Sequence, residues 1–352
     1  MSSLEETLTD LIKVKSPTGQ EGRICTAIAE RLLPIWGMDG VNRIGNALVV
    51  GRRTTKPTIA LFGHTDTVPE QDGNSRPRRK GDKLHGLGAS DMKAGVAVML
   101  HLLEDAAIAN GPYDVVGVFY DKEEGPHDEN GLEEVLQRAD WLADSEFGIV
   151  LEPTDLALEL GCNGAMNATA SFKGQTGHSA RPWLGVNAIT RAGEWLAEMD
   201  KREPIAVGVD GLVFHETMVV TTAQGGIARN IIPGSFEANV NYRFPPVYDL
   251  AQAEERLREA CAAADAVEIT DRAVPGPVPV GNDHLARLES IAAAERRAKQ
   301  GWTDVARLSV HGIPAVNYGP GLVAQAHQAD EFVPVSNLYR SYQVLREFLI
   351  GP

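Results

Sequence analysis

Cysteine is scarce. The 352-residue chain has three, Cys25, Cys162 and Cys261, widely spaced and odd in number, which argues against a disulfide framework and leaves small buried thiols as the plain reading. Long apolar runs are missing too: none approaches the roughly 20 residues that a bilayer-spanning helix needs. The opening stretch MSSLEETLTDLIKVKS has neither the basic start nor the apolar core of a secretory signal, so a first helix and a cytoplasmic location are expected. Basic charge is in deficit, with 33 Lys and Arg against 48 Asp and Glu and a formal net charge of -15. That balance disfavours nucleic acid or an anionic membrane as the main partner, and an anionic small molecule would need a local cluster of arginines. Internal repeats and polar low-complexity tracts are absent. With 43% hydrophobic and 23% charged residues the composition is that of a folded globular protein.

What is present has the texture of alternating strands and helices. A chain of this length exceeds what one core usually organises, so two domains are expected. NALVVG, TIALFGH, VVGVFYD and FGIVLEP read as short buried strands, with EGRICTAIAERLLPIWG, DMKAGVAVMLHLLEDAAIAN and GLEEVLQRADWLA as helices around them. The fold class is therefore α/β with a mostly parallel sheet. After Pro153 the pattern becomes that of half-exposed antiparallel strands with helices, as in ELGCNGAMNATASFKG, GSFEANVNYRFPP and LAQAEERLREACAAA. The expected layout is a first domain over residues 1–162, an inserted α+β domain over 163–275, and a return to the first domain over 276–352.

Carboxylates and imidazoles gather at the strand ends. TIALFGHTD ends in His64 and Asp66, VVGVFYDKEE in Glu123 and Glu124, and FGIVLEP in Glu152; Asp91 stands at the mouth of a helix in GLGASDMKAG, and AHQADE supplies His327 late in the chain. Open α/β sheets collect their functional groups beyond the carboxyl ends of the strands. Several acids there would repel one another and resist desolvation unless cations sat among them. Two divalent ions resolve this, and mixed imidazole and carboxylate ligation suits zinc. Adjacent Glu123 and Glu124 at a strand end would let one ligate metal while the other handles the proton of a water. Singly, each has a plainer reading: a solvated Glu pair, a turn residue at Asp66, a helix cap at Asp91. His85, His101, His127, His215, His284 and His311 have no comparable placement and read as structural or surface residues.

The stretches GHTDTVP, GLGASDMKAG, DKEEG, LEPT, GQTGHSARP, RNIIPG and AHQADE, in this order, resemble the dizinc metallopeptidase family of aminoacylases, acetylornithine deacetylases and succinyl-diaminopimelate desuccinylases. GWTDVARLSVHGIPAVNYGPG and GHSARPWLGVNAI are most similar to the desuccinylases of one bacterial branch. The resemblance implies an aminopeptidase-like catalytic domain whose insert forms a homodimer. It implies two zinc ions, with cobalt as a substitute: His64, Asp91 and Glu152 on one, Asp91, Glu124 and His327 on the other, Asp91 bridging. It makes Glu123 the general acid/base, Asp66 the group that orients His64, and His178 the histidine that reaches the partner's site to stabilise an oxyanion. Asn230 and Arg243 match positions that contact the acyl or carboxylate end of a substrate, with Arg243 suited to grip a carboxylate by two hydrogen bonds. Glutamate at 152 resembles the branch acting on N-acyl amino acids and C-terminal residues.

The activity so implied is zinc-dependent hydrolysis of the amide of N-succinyl-L,L-2,6-diaminopimelate, in lysine and cell-wall precursor supply, or of another N-acyl amino acid, as in an acetylornithine deacetylase or a peptidase. The reading from a different class is a catalytically silent ligand-binding dimer. Trp302 and Leu87 depart from residues that relatives often carry.

Overall fold

Thr58–His64, Asp114–Tyr120, Phe147–Val150 and Ala315–Asn317 are buried along their whole lengths, as strands covered on both faces must be. In the computed structural model, which describes residues 2–71 and 73–351, they are the parallel centre of an eight-stranded sheet. Its order is Val41–Ile44, Ala47–Val50, Asp114–Tyr120, Thr58–His64, Phe147–Val150, Ala315–Asn317, Leu158–Leu160, Arg296–Ala298. Thr58–His64 pairs in parallel with both of its neighbours, and Ala315–Asn317 in parallel with Phe147–Val150. The contacts outward from this centre, through Ala47–Val50 and Leu158–Leu160, are antiparallel. Three of the parallel strands therefore open at adjacent carboxyl ends, which sets where side chains can converge.

The helix Lys93–Leu103, KAGVAVMLHLL, is buried at every position except His101, as its apolar composition on all sides requires. Gly95 allows its closest approach: a Cβ there would lie 2.4 Å from the Leu151 carbonyl oxygen. Lys93, buried in the first turn, donates from Nζ to the carbonyls of Leu11 at 3.2 Å and Val14 at 2.9 Å. It thereby satisfies carbonyls at the end of the helix Leu4–Lys13, whose start is closed by a reciprocal Ser3 and Glu6 capping box. Lys93 thus ties the amino-terminal helix beneath the loop that carries Asp91.

The chain divides into two compact units: Met1–Leu160, Pro279–Arg297 and Arg307–Pro352 in one, Gly161–Val278 and Ala298–Ala306 in the other. The second unit takes in a segment, Ala298–Ala306, that the sequence reading left with the first. Side chains hold it there: Gln300 accepts from the His215 amide at 2.9 Å and donates to the Val213 carbonyl at 2.9 Å, and Trp302 Nε1 donates to the Val274 carbonyl at 3.0 Å.

In the second unit five antiparallel strands run in the order Ile205–Val209, Leu212–Gly225, Ser235–Phe244, Gly164–Lys173, Ala266–Ala273. Alternation from Met166 to Lys173 and along Ser235–Phe244 sends Met166, Ala168, Phe172, Phe236, Val240 and Phe244 into one core with Trp195 and Leu257. The opposite face carries a polar row. Asn241 Nδ2 donates to Asn167 Oδ1 at 3.0 Å, and Asn241 Oδ1 accepts from Arg243 Nε at 3.0 Å.

Candidate metal and catalytic site

His64 is the last residue of its strand, Glu123 and Glu124 follow Asp114–Tyr120 by three and four residues, and Glu152 follows Phe147–Val150 by two. Asp91 comes from the loop before Lys93–Leu103, and His327 from the turn before the strand Phe332–Pro334. All six belong to the first unit.

Their geometry is specific. His64 Nε2 lies 3.2 Å from Asp91 Oδ1 and 3.8 Å from Glu152 Oε1. His327 Nε2 lies 2.8 Å from Glu124 Oε2 and 3.8 Å from Asp91 Oδ2. Asp91 therefore turns one oxygen toward each histidine, and one ligand atom from each of His64, Asp91 and Glu124 fits within 4.8 Å of the other two. His327 is 54% exposed whereas His64 is fully buried, so the cluster runs from the interior to the surface. The His327 backbone, at φ 62°, adopts a conformation uncommon for residues with a Cβ and enriched at functional positions.

Asp66 organises two of these elements at once. Its carboxylate accepts from the Glu123 amide at 3.0 Å, the Glu124 amide at 3.1 Å and the Thr18 hydroxyl at 3.0 Å. Its backbone oxygen lies 3.1 Å from His64 Nδ1. Donation from Nδ1 to that oxygen leaves Nε2, beside Asp91 and Glu152, as the nitrogen that would bind a metal in place of a proton. Farther along the Glu123 loop, Arg307 holds the Glu133 carboxylate at 2.9 Å and the His127 carbonyl at 2.9 Å.

The electrostatics match a cation site. Burial raises the Glu124 carboxyl above the usual carboxylate range, and repulsion from Asp91 raises it further. Burial alone would depress His64, but Asp66 and Asp91, with Glu152, hold it well above the ordinary histidine value. Burial likewise works against the Asp66 charge, yet the His64 ring and the two amides keep its carboxyl below the usual range. Three acids, Asp91, Glu124 and Glu152, around the imidazoles of His64 and His327 form the oxygen and nitrogen donor set that suits zinc, and the residues present fit two such ions.

His178, Asn230 and Arg243 lie in the second unit. His178 and Asn230 are brought together there: Gly177–His178 pairs with Ile231–Ile232, and the Ser179 amide donates to the Asn230 carbonyl at 3.0 Å. His178 is exposed and its Nδ1 accepts from the Ala180 amide at 3.1 Å, so the neutral ring presents Nε2–H outward as a donor. Arg243, half-buried on Ser235–Phe244, has its Nε held by Asn241, which orients the two terminal nitrogens of the guanidinium. Thr18 and Glu331 were not singled out from the sequence, although Glu331 closes the very AHQADE stretch from which His327 was read.

Similarity to known proteins extends over nearly the whole chain. The family model described as Peptidase family M20/M25/M40 matches residues 60–350. A putative succinyl-diaminopimelate desuccinylase of Mycobacterium tuberculosis is 38% identical over 345 residues, covering 97% of this chain and 96% of that one. The succinyl-diaminopimelate desuccinylase of Corynebacterium glutamicum is 33% identical, covering 96% and 94%. Among solved structures, a tripeptidase of Staphylococcus aureus superposes with a TM-score of 0.79 at 23% identity, over 99% of this chain and 97% of that one, a likeness of fold.

Proposed function

The chain belongs to Peptidase family M20/M25/M40, and on that premise we propose that it is a metal-dependent amidohydrolase that cleaves N-succinyl-L,L-2,6-diaminopimelate to succinate and L,L-diaminopimelate, a precursor of lysine and the cell wall. The full-length similarity to two desuccinylases supports the substrate. The observation that carries the chemistry is the Asp91 carboxylate, with Oδ1 toward His64 and Oδ2 toward His327. In this proposal His64, Asp91 and Glu152 hold one zinc, and Asp91, Glu124 and His327 the other.

When bound, two zinc ions would polarise the acyl carbonyl and bring the pKa of a water toward neutrality. Glu123 takes a proton from the attacking water as its oxygen bonds to the acyl carbon. The same residue returns that proton to the nitrogen as the C–N bond breaks. Asp66 holds Glu123 by its amide through both steps. His178 of the partner subunit donates from Nε2 to the developing oxyanion. Asn230 and Arg243 take the succinyl end, the guanidinium gripping its carboxylate.

The homodimer this requires would form through the second unit. Ile205–Val209 covers the outer edge of Leu212–Gly225 only along Leu212–Glu216, and beyond it Val219 and the nearby Ile227 are 55% and 83% exposed. An uncovered strand edge beside apolar side chains supports pairing with a second copy.

The test is a substrate comparison. Wild-type enzyme should show a higher kcat/KM for N-succinyl-L,L-diaminopimelate than for N-acetylornithine or dipeptides. Arg243→Ala should raise KM for the succinylated substrate roughly ten- to hundred-fold, the loss of one charge-assisted contact worth about 1.5–3 kcal/mol, with kcat changed far less. An unchanged KM removes Arg243 from the site, and a preference for N-acetylornithine replaces the substrate.

A further inference from the structure

Glu331 lies four residues beyond His327 and is 2% exposed. Its carboxylate accepts three hydrogen bonds, all from backbone amides of one loop: Gly88 to Oε2 at 2.8 Å, and Ser90 and Asp91 to Oε1 at 2.7 and 3.0 Å. The main chains reinforce this contact. The Gly86 amide donates to the Glu331 carbonyl at 3.0 Å. The Ser90 hydroxyl donates to the Phe332 carbonyl at 2.7 Å and accepts from the Leu322 amide at 3.0 Å. Phe332 pairs with His85 across two strands. The segment carrying His327 and the loop carrying Asp91 are thus one hydrogen-bonded body, built on residues some 240 positions apart in the chain.

A glutamate is a costly choice for an interior position, since a buried acid loses its hydration. What it supplies here is acceptor capacity. Three amides converge on one side chain, and a carboxylate has two oxygens with about four lone-pair sites, whereas glutamine has one acceptor oxygen and an opposing donor. One of the three amides is that of Asp91 itself. Fixing it leaves the Asp91 side chain to rotate about a stationary backbone, with its two oxygens split between His64 and His327.

We propose that Glu331 is a positioning residue for the metal centre: it fixes Asp91 relative to His327, so that one carboxylate serves two ions. This rests on the reading of His64, Asp91, Glu124, Glu152 and His327 as ligands. Glu331 makes no contact with substrate in this account, and it acts through the geometry of Asp91.

Cobalt(II) titration of the metal-free protein tests it, since the visible bands of bound cobalt report coordination geometry apart from activity. Wild type should take up two equivalents. Glu331→Gln, which keeps the volume but turns a donor toward one amide, should bind cobalt roughly 10- to 100-fold more weakly, the range for losing a partner that orients a ligand. Its absorption bands should shift, while far-UV circular dichroism stays that of wild type. Glu331→Ala should do the same more strongly, and if it fails to fold, the glutamine variant carries the test. Wild-type affinity and bands in Glu331→Gln overturn the inference, whatever happens to Tm, because they make Glu331 a stability residue only. A wild-type protein that takes up no cobalt overturns the ligand reading itself, and the inference with it.

Discussion

Glu123→Gln should lower kcat by roughly 10²- to 10⁴-fold, the range for a positioned general acid/base, while the purified variant still carries two metal ions. The amide keeps the shape of the side chain but loses its negative charge and its ability to accept a proton. Asp66 fixes the residue through its backbone amide at 3.0 Å, and Glu124, the neighbouring acid, is the one that meets His327 at 2.8 Å, so the ligand set keeps its positions in the variant. Elemental analysis and steady-state kinetics on the same sample decide the matter. A variant that loses metal yet keeps full turnover per ion retained would make Glu123 a ligand rather than a base.

Asp66→Asn should be the other severe change, although Asp66 touches neither substrate nor metal in this account. Both of its oxygens are committed as acceptors, Oδ1 to the Glu123 amide and Oδ2 to the Glu124 amide and Thr18 hydroxyl. Asparagine must aim an NH₂ at one of those amides, and a buried donor left facing a donor costs about 1–3 kcal/mol. The turn can relieve this only by moving, and it carries both Glu123 and Glu124. Metal affinity should fall about 10- to 100-fold, and kcat/KM should stay depressed with metal in excess because Glu123 has shifted. Titration followed by kinetics at saturating metal separates the two effects. Full recovery in excess zinc would limit Asp66 to tuning affinity.

Much of this architecture was legible because burial on both faces leaves a simple signature. VVGVFYD and TIALFGH are continuous apolar runs, and each became a parallel strand with acids or a histidine at its end. The short outer members were not legible: Leu158–Leu160 and Arg296–Ala298 have three residues each, too few to display a period. ELGCNGAMNATASFKG, read as one stretch, splits at Gly161 into Leu158–Leu160 of one unit and Gly164–Lys173 of the other, where Gly161 adopts φ 60°, a conformation that glycine takes at little cost. Gln300 and Trp302 bind the second unit through side-chain contacts to residues 85 and 28 positions away, a link that no local pattern encodes.

The site divides in the same way. His64, Glu124 and Glu152 stand out because a polar residue that could bind metal closes an apolar run. Thr18 and Glu331 do not, since neither closes an apolar run: one stands in SPTGQEG and the other at the end of AHQADE, beside Asp330. Their partners, Asp66 and the Gly88–Asp91 amides, are 48 and about 240 residues distant. Groups that could touch metal were visible as residue types, whereas the groups that aim them became visible only once the chain had folded.

Metal-dependent amide hydrolysis is decided by succinate release from N-succinyl-L,L-diaminopimelate, measured on the purified protein with zinc, after chelation, and after zinc is restored. Turnover should disappear on chelation and return with about two equivalents of zinc per chain. Turnover that survives complete removal of metal, or none with two zinc ions bound across both the succinylated and acyl-amino-acid substrates, would contradict it.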